Sequence, residues 1–186
     1  MAKCLLGAVL LAIPILHFFA FGYLGRVVAA TARGEPFDLP EWEGWRELFL
    51  SGIVFFAIFL GLGGGLFLLA WIVSLPFHAW AGPLAYVPFS PAILLTPPLV
   101  AAGWYRYCEL GEVAEAFRVT ELLRLLQRVG FPLLLPTLAF IGFLFVGLPL
   151  FPLAFFLGGI VVFFFYSSIF SQMEQAGPSS VPFSVL

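Results

Sequence analysis

Sixteen of the 18 charged residues fall in two short blocks, Arg26 to Glu47 and Arg106 to Arg128, and only Lys3 and Glu174 lie outside them. What remains is uncharged over 22 residues from Cys4 to Gly25, 58 from Leu48 to Tyr105 and 45 from Val129 to Met173. About 20 consecutive apolar residues suffice for a helix to cross a bilayer, so each stretch can hold at least one span. A soluble domain carries about a quarter charged residues, whereas this chain carries 10% and is 62% hydrophobic. The pattern predicts an all-α, polytopic transmembrane helical bundle and excludes an ordinary soluble fold.

The 186 residues leave room for one membrane domain, 1–175, followed by a tail, 176–186, whose Gly177-Pro178-Ser179-Ser180 reads as disordered. About five spans are expected. The first runs from Cys4 to Gly25 and is bent by Pro14. Its apolar run is too long for a secretory h-region, and Arg26 interrupts the approach to Ala30-Thr31-Ala32, so the segment reads as an uncleaved helix. The second starts between Leu48 and Phe59 and stops at Pro76. The third covers Ala92 to Tyr107, with Pro97-Pro98 expected to kink or interrupt it. Pro149 and Pro152 divide the last stretch into a fourth span, Phe131 to Leu148, and a fifth, Leu153 to Ser171. Between Pro76 and Pro91 four prolines indicate a loop or a shallow re-entrant segment, which leaves four or six spans open.

With five spans, seven of the eight Lys and Arg residues lie on one side with the C-terminus and only Lys3 on the other. The positive-inside rule then makes both blocks and the C-terminus cytoplasmic, in a multi-pass protein of the cell (inner) membrane. The tryptophans agree with an aromatic belt, with Trp42, Trp45 and Trp104 at the inner boundary and Trp71 and Trp80 at the outer. Gly22-Tyr23-Leu24-Gly25-Arg26 resembles Gly103-Trp104-Tyr105-Arg106, with the arginines 80 residues apart. That is compatible with a parallel repeat of the kind some transporters have, or simply with two outward-to-inward spans ending alike. Cys4 and Cys108 are 104 residues apart, belong at opposite faces in this topology, and form no disulfide in it.

The blocks read as two amphipathic interfacial segments. In the first, Pro40 suits a helix start with Glu41 and Glu43 near its positive end, and Trp42, Trp45 and Phe49 share a face. Trp42 and Trp45 are therefore candidate contacts for a partner or for lipid, or else an elbow that aims the second span. In the second block, charges recur every three residues, a spacing that drifts about 60° per step on a helix, and Gly111 is a natural break. From Ala116 onward Val119, Leu122, Leu123 and Leu126 oppose Glu121, Arg124 and Arg128. Arg118, Arg124 and Arg128 are candidate partner or lipid contacts, with anionic headgroups the candidate ligand; solvation of a polar face is the plainer reading.

Neither His17 nor His78 has a Cys or acid at metal-ligand spacing, and there is no nucleophile elbow or phosphate loop. No catalytic residue, metal or cofactor is therefore expected. With a net charge of −2 and no basic patch, no nucleic-acid partner is expected. His17, inside the first span, is a candidate intramembrane polar site or a donor to a carbonyl freed by Pro14. Gly61 and Gly65, at i and i+4, are candidate helix-packing residues.

Several segments carry a resemblance: Ile13-Pro14-Ile15-Leu16-His17, Gly22-Tyr23-Leu24, Arg33-Gly34-Glu35, and Leu39-Pro40-Glu41-Trp42 through Trp45 and Leu48-Phe49. They are followed by Arg106-Tyr107, Ala116-Phe117-Arg118 and Glu121-Leu122. Together they resemble the prokaryotic membrane-protein family known as domain of unknown function (DUF) 4013, over most of the chain to about Gln172. In that family the segment before the first span is usually longer, and Asn often stands where this chain has His17. The resemblance implies a multi-pass membrane protein and brings no activity. The expectation is a non-enzymatic subunit that assembles, anchors or regulates a larger membrane complex, through a protein partner or a homo-oligomer. The alternative is a transporter or channel component with a kinked third span, in which His17 and the Pro97 region line one polar cavity.

Overall fold

The computed structural model describes residues 2–34, 39–78 and 81–176, with side chains from 3 to 173 within these ranges. Among them are seven α-helices and no strand: α1 (Ala2–Ala12), α2 (His17–Ala32), α3 (Trp45–Ser74), α4 (Phe89–Leu110), α5 (Val119–Val129), α6 (Leu134–Val146) and α7 (Phe151–Ala176). The tail from Gly177 onward lies outside the described residues. Three helical stretches are long and apolar enough to cross a membrane: Trp45–Phe77, Gly82–Leu110 and Leu148–Met173.

The expected first span is not one helix. Pro14 has no N–H and its ring clashes with the carbonyl four residues back. Accordingly α1 ends at Ala12, and Ile15 takes a left-handed φ of 72° before His17 N–H closes on Ile13 O at 3.1 Å. The chain then reverses. Along a continuous helix Lys3 and Tyr23 would be about 30 Å apart; here Lys3 Nζ donates to Leu39 O and Tyr23 Oη to Pro40 O, each at 2.8 Å. So α1 and α2 form a hairpin that returns Lys3 to the first charged block, where it pairs with Glu41 at 2.6 Å. All eight cations thus gather with the two blocks, and the placement of Lys3 on the far side is corrected.

The α3–α4 pair is antiparallel. Phe55 meets Trp104, a Cβ at Gly63 would press on Thr96, and Phe67 meets Phe89. Since α3 leaves the first block and α4 enters the second, both blocks lie at the same end of this pair. Pro97-Pro98 does not interrupt α4, which is continuous over 22 residues. Thr96 Oγ1 donates to Ala92 O at 2.7 Å in the turn before the prolines. The far end, from Leu75 to Tyr86, is a loop of two 3-10 turns, Leu75–Phe77 and Gly82–Tyr86, with no re-entrant helix among its described residues.

The expected fourth span is shortened. α6 has 13 residues, about 20 Å, against a hydrocarbon thickness of about 30 Å. It meets α5 at 93° across Gly130, which has φ 64°. Three long helices and this bent pair therefore stand in place of five spans.

The core is aromatic. On α7, Phe156 packs on Tyr23 and Trp42, Phe163 on Phe55, and Phe170 on Tyr105. The closest helix approach is α2 on α3, where a Cβ at Gly22 would overlap Leu48 O and one at Gly52 would overlap Phe18 O. Glycine is the residue that permits such backbone contact.

Candidate functional site

The charged end of the bundle is the place where polar chemistry is assembled, and it has three parts. The first is the strap from Leu39 to Gly44. Arg26 Nη1 donates to Glu41 O and Glu43 O, both at 3.0 Å, and Trp42 Nε1 donates to Lys3 O at 3.2 Å. Trp42 stacks with Tyr23 and with Trp45, ring centroids 4.2 and 5.9 Å away. No helix begins at Pro40: the strap is irregular up to Gly44, whose φ of 62° precedes α3 at Trp45. Of the two tryptophans expected to make contacts, Trp42 is half-buried and Trp45 is exposed.

The second part is an ion cluster in the 3-10 turn Val113–Phe117, to which Gly111 gives way at φ 75°. Glu115 is only 6% exposed. It pairs with Arg118 at 2.9 Å and lies 3.7 Å from Arg106, which reaches Glu109 at 3.5 Å. Glu115 Oε2 and Arg106 Nε are buried without a hydrogen-bond partner. A buried carboxylate costs several kcal/mol unless compensated, and two guanidiniums provide that compensation here. The turn packs on the bundle through Phe117, which fills the space over Gly61, and through Ala116 O, which sits against Gly103.

The third part is α5. It seats Leu122 and Val129 in the bundle, and Arg124 pairs with Glu121 at 2.7 Å. Arg106, Glu121, Arg124, Leu125 and Arg128 line a polar cavity of about 70 Å³. Among the described residues Arg128 has no ion pair. The three arginines singled out from the sequence therefore part company: Arg118 neutralises Glu115, while Arg124 and Arg128 share the cavity with Arg106.

The other sequence candidates separate as well. His17 is packed among the rings of Phe18, Phe21 and Phe56, at 4.2, 5.7 and 5.7 Å. Gly61 is a packing position, used within the chain by Phe117, whereas Gly65 has nothing within 4 Å of a would-be Cβ. Trp104 is not in a belt: it is 2% exposed and donates from Nε1 to Gly25 O at 2.9 Å. Trp80 lies outside the described residues. The look-alike segments around Gly25 and Gly103 thus touch each other. Their arginines do the same work, each holding the charged block that follows it, but one helix belongs to a hairpin and the other is a single 22-residue helix, so no repeat is formed. Sequence reasoning missed Glu115, Arg106, Lys3 and Tyr23 as structural centres. The three carboxylates flanked by arginines at three-residue spacing, from Arg106 to Arg118, were the available signal for the first two.

Among the described residues no three His, Cys, Asp or Glu side chains could hold a metal ion together. Fold and site define an all-helical protein with three helices able to cross a membrane and an ion-paired face at one end. The chain belongs to the family described as protein of unknown function (DUF4013), whose sequence model matches residues 5–163. No curated protein matches the chain. No solved structure matches it.

Proposed function

We propose that this chain is a non-enzymatic, multi-pass protein of the cell (inner) membrane that assembles, anchors or regulates a larger membrane complex, with its charged face in the cytoplasm. The observation that carries the reading is the open face of α3. A helical glycine costs about 0.5–1 kcal/mol relative to alanine. At Gly22, Gly52, Gly61, Gly63 and Gly103 a neighbour occupies the space where Cβ would be. At Gly65 no neighbour does, and Gly64 meets only Leu60 of its own helix. Around them Leu60, Leu68, Leu69 and Ile72 are exposed. In a bilayer, small residues on such a face let a helix of another protein approach closely. The cytoplasmic placement rests on all eight cations gathering at one end.

The alternative, a transporter or channel component, rests on an interrupted third span and a polar cavity at His17. α4 is uninterrupted and His17 sits among phenyl rings, so no observation favours it. The test is affinity purification from native membranes in a mild detergent, with mass spectrometry, for the parent chain and Gly65→Leu. A stoichiometric partner held by the parent and lost from the variant is expected. A parent chain that purifies alone, as monomer or homo-oligomer, overturns the proposal.

A further inference from the structure

The polar cavity on α5 has an apolar neighbour. Between α6 and α7 runs a groove of about 550 Å³, lined by residues that include Pro132, Leu135, Ala139, Phe143, Val161 and Phe165. That volume is in the range of about 300–1,000 Å³ typical of ligand sites. Unlike the cavity, whose lining is mainly guanidinium and carboxylate, the groove presents hydrocarbon along its whole length. The two flank the same elbow: Arg128 of the cavity and Pro132 of the groove are four residues apart, which limits their separation to about 14 Å.

Charge and geometry at this elbow agree on one occupant. The cavity holds three guanidiniums and a single carboxylate, Glu121. Arg124 is ion-paired with Glu121, and Arg106 with Glu115 and Glu109 although its Nε has no hydrogen-bond partner, which leaves Arg128 as the cation of this cavity without an ion pair. Arginine presents planar, paired donors suited to a phosphate. The 93° bend at Gly130 turns the chain from an amphipathic helix, suited to lie along an interface, into the wholly apolar α6. A molecule with an anionic phosphate head and a hydrocarbon tail follows the same turn. We propose that the α5 cavity and the α6–α7 groove are one binding site for a single anionic phospholipid, with its phosphate against Arg128, Arg124 and Arg106 and an acyl chain in the groove. A helix of another protein would fill the groove but leave Arg128 without an anion.

This proposal does not depend on the open face of α3, and its test uses different residues. The full chain, in nanodiscs of mixed phosphatidylglycerol and phosphatidylcholine, is extracted in mild detergent and weighed by native mass spectrometry. One retained phosphatidylglycerol per chain is expected, preferred at least about tenfold over phosphatidylcholine, which has the same phosphate but carries a quaternary ammonium that the three guanidiniums repel. Arg128→Gln abolishes the preference; because that side chain is exposed and unpaired, the fold is preserved. Arg128→Lys keeps most of it. Ala139→Trp, which fills the groove, lowers retention of both lipids. Equal retention of the two lipids by the parent chain overturns the proposal without any variant. So does competition by millimolar glycerol phosphate that displaces the lipid fully, because the groove would then contribute nothing. Insensitivity to both Arg128→Gln and Ala139→Trp overturns it too.

Discussion

Glu115 is the carboxylate that this chain buries most deeply among those described, and its neighbours decide what its loss would do. Arg118 is mostly exposed and Arg106 mostly buried. Removing one member of a buried ion pair costs about 3–5 kcal/mol, because the remaining charge is stranded. Glu115→Ala leaves Arg118 in solvent and Arg106 still facing Glu109, so it is expected to destabilise the protein by less than that, about 1–3 kcal/mol, in a thermal or denaturant melt in detergent. Arg118→Ala should cost less, since Arg106 still faces the carboxylate. Replacing Arg106 and Glu115 together by Met should recover most of the loss, as an apolar pair often substitutes for a buried ionic one. If the double variant is as unstable as Glu115→Ala, the cluster holds the second block by something other than compensated charge. At Gly52 the argument is steric. A Cβ there would overlap Phe18 O on the facing helix, and backbone cannot move aside as a side chain can. Gly52→Ala should thus lower stability by at least about 1–3 kcal/mol, the usual cost of overpacking, while Gly65→Ala, in open space, should leave the melt unchanged or raise it slightly.

Among the elements, the α1–α2 hairpin turns on one residue. Ile15 is β-branched, holds φ at 72° and is 66% exposed. A non-glycine residue in that region costs about 1–3 kcal/mol, and so exposed a side chain has little packing to lose. Ile15→Gly is expected to raise the melting temperature, and a fall would mean that Ile15 is packed more closely than its exposure implies. Pro14→Ala alone should not straighten the pair, because the contacts of Lys3 with Leu39, Glu41 and Trp42 hold α1 in its reversed direction. α4 shows the opposite outcome for prolines. Pro97 and Pro98 sit inside a helix packed on α3, and that packing keeps it continuous where Pro14, with Ile13, Pro14 and Ile15 all exposed around it, breaks its helix.

For the whole molecule, the consequence is topological. The hairpin returns the N-terminus to the side of both charged blocks, while the Leu75–Tyr86 loop lies at the other end of α3 and α4. Single-cysteine variants placed at Glu41, Glu112 and Leu84 in a chain free of Cys4 and Cys108 separate these ends. Glu41→Cys and Glu112→Cys should react with an impermeant maleimide from the same side, the cytoplasm, and Leu84→Cys from the other. Labelling of Glu41→Cys and Glu112→Cys from opposite sides would refute the shared face.

Much of this architecture was legible in the sequence, because a bilayer admits few options. Uncharged runs of sufficient length become helices, and the charge blocks mark one end of α3 and α4, since isolated charge is too costly to leave in hydrocarbon. The end of α3 before Pro76, the break at Gly111 and the amphipathic α5 were legible from local residue types, and the family likeness from short motifs. By contrast, α3 starts earlier than expected, at Trp45, and α7 extends past Ser171 to Ala176. What composition does not encode is direction. Whether a proline bends a helix, is absorbed or reverses the chain depends on what packs beside it, and that differs between Pro14 and Pro97-Pro98. The burial of Trp104 and Glu115, the meeting of Arg106 with Arg124 and Arg128, and the occupation of Gly61 but not Gly65 are long-range contacts. They join residues from about ten to nearly eighty positions apart, so only the tertiary structure could decide them.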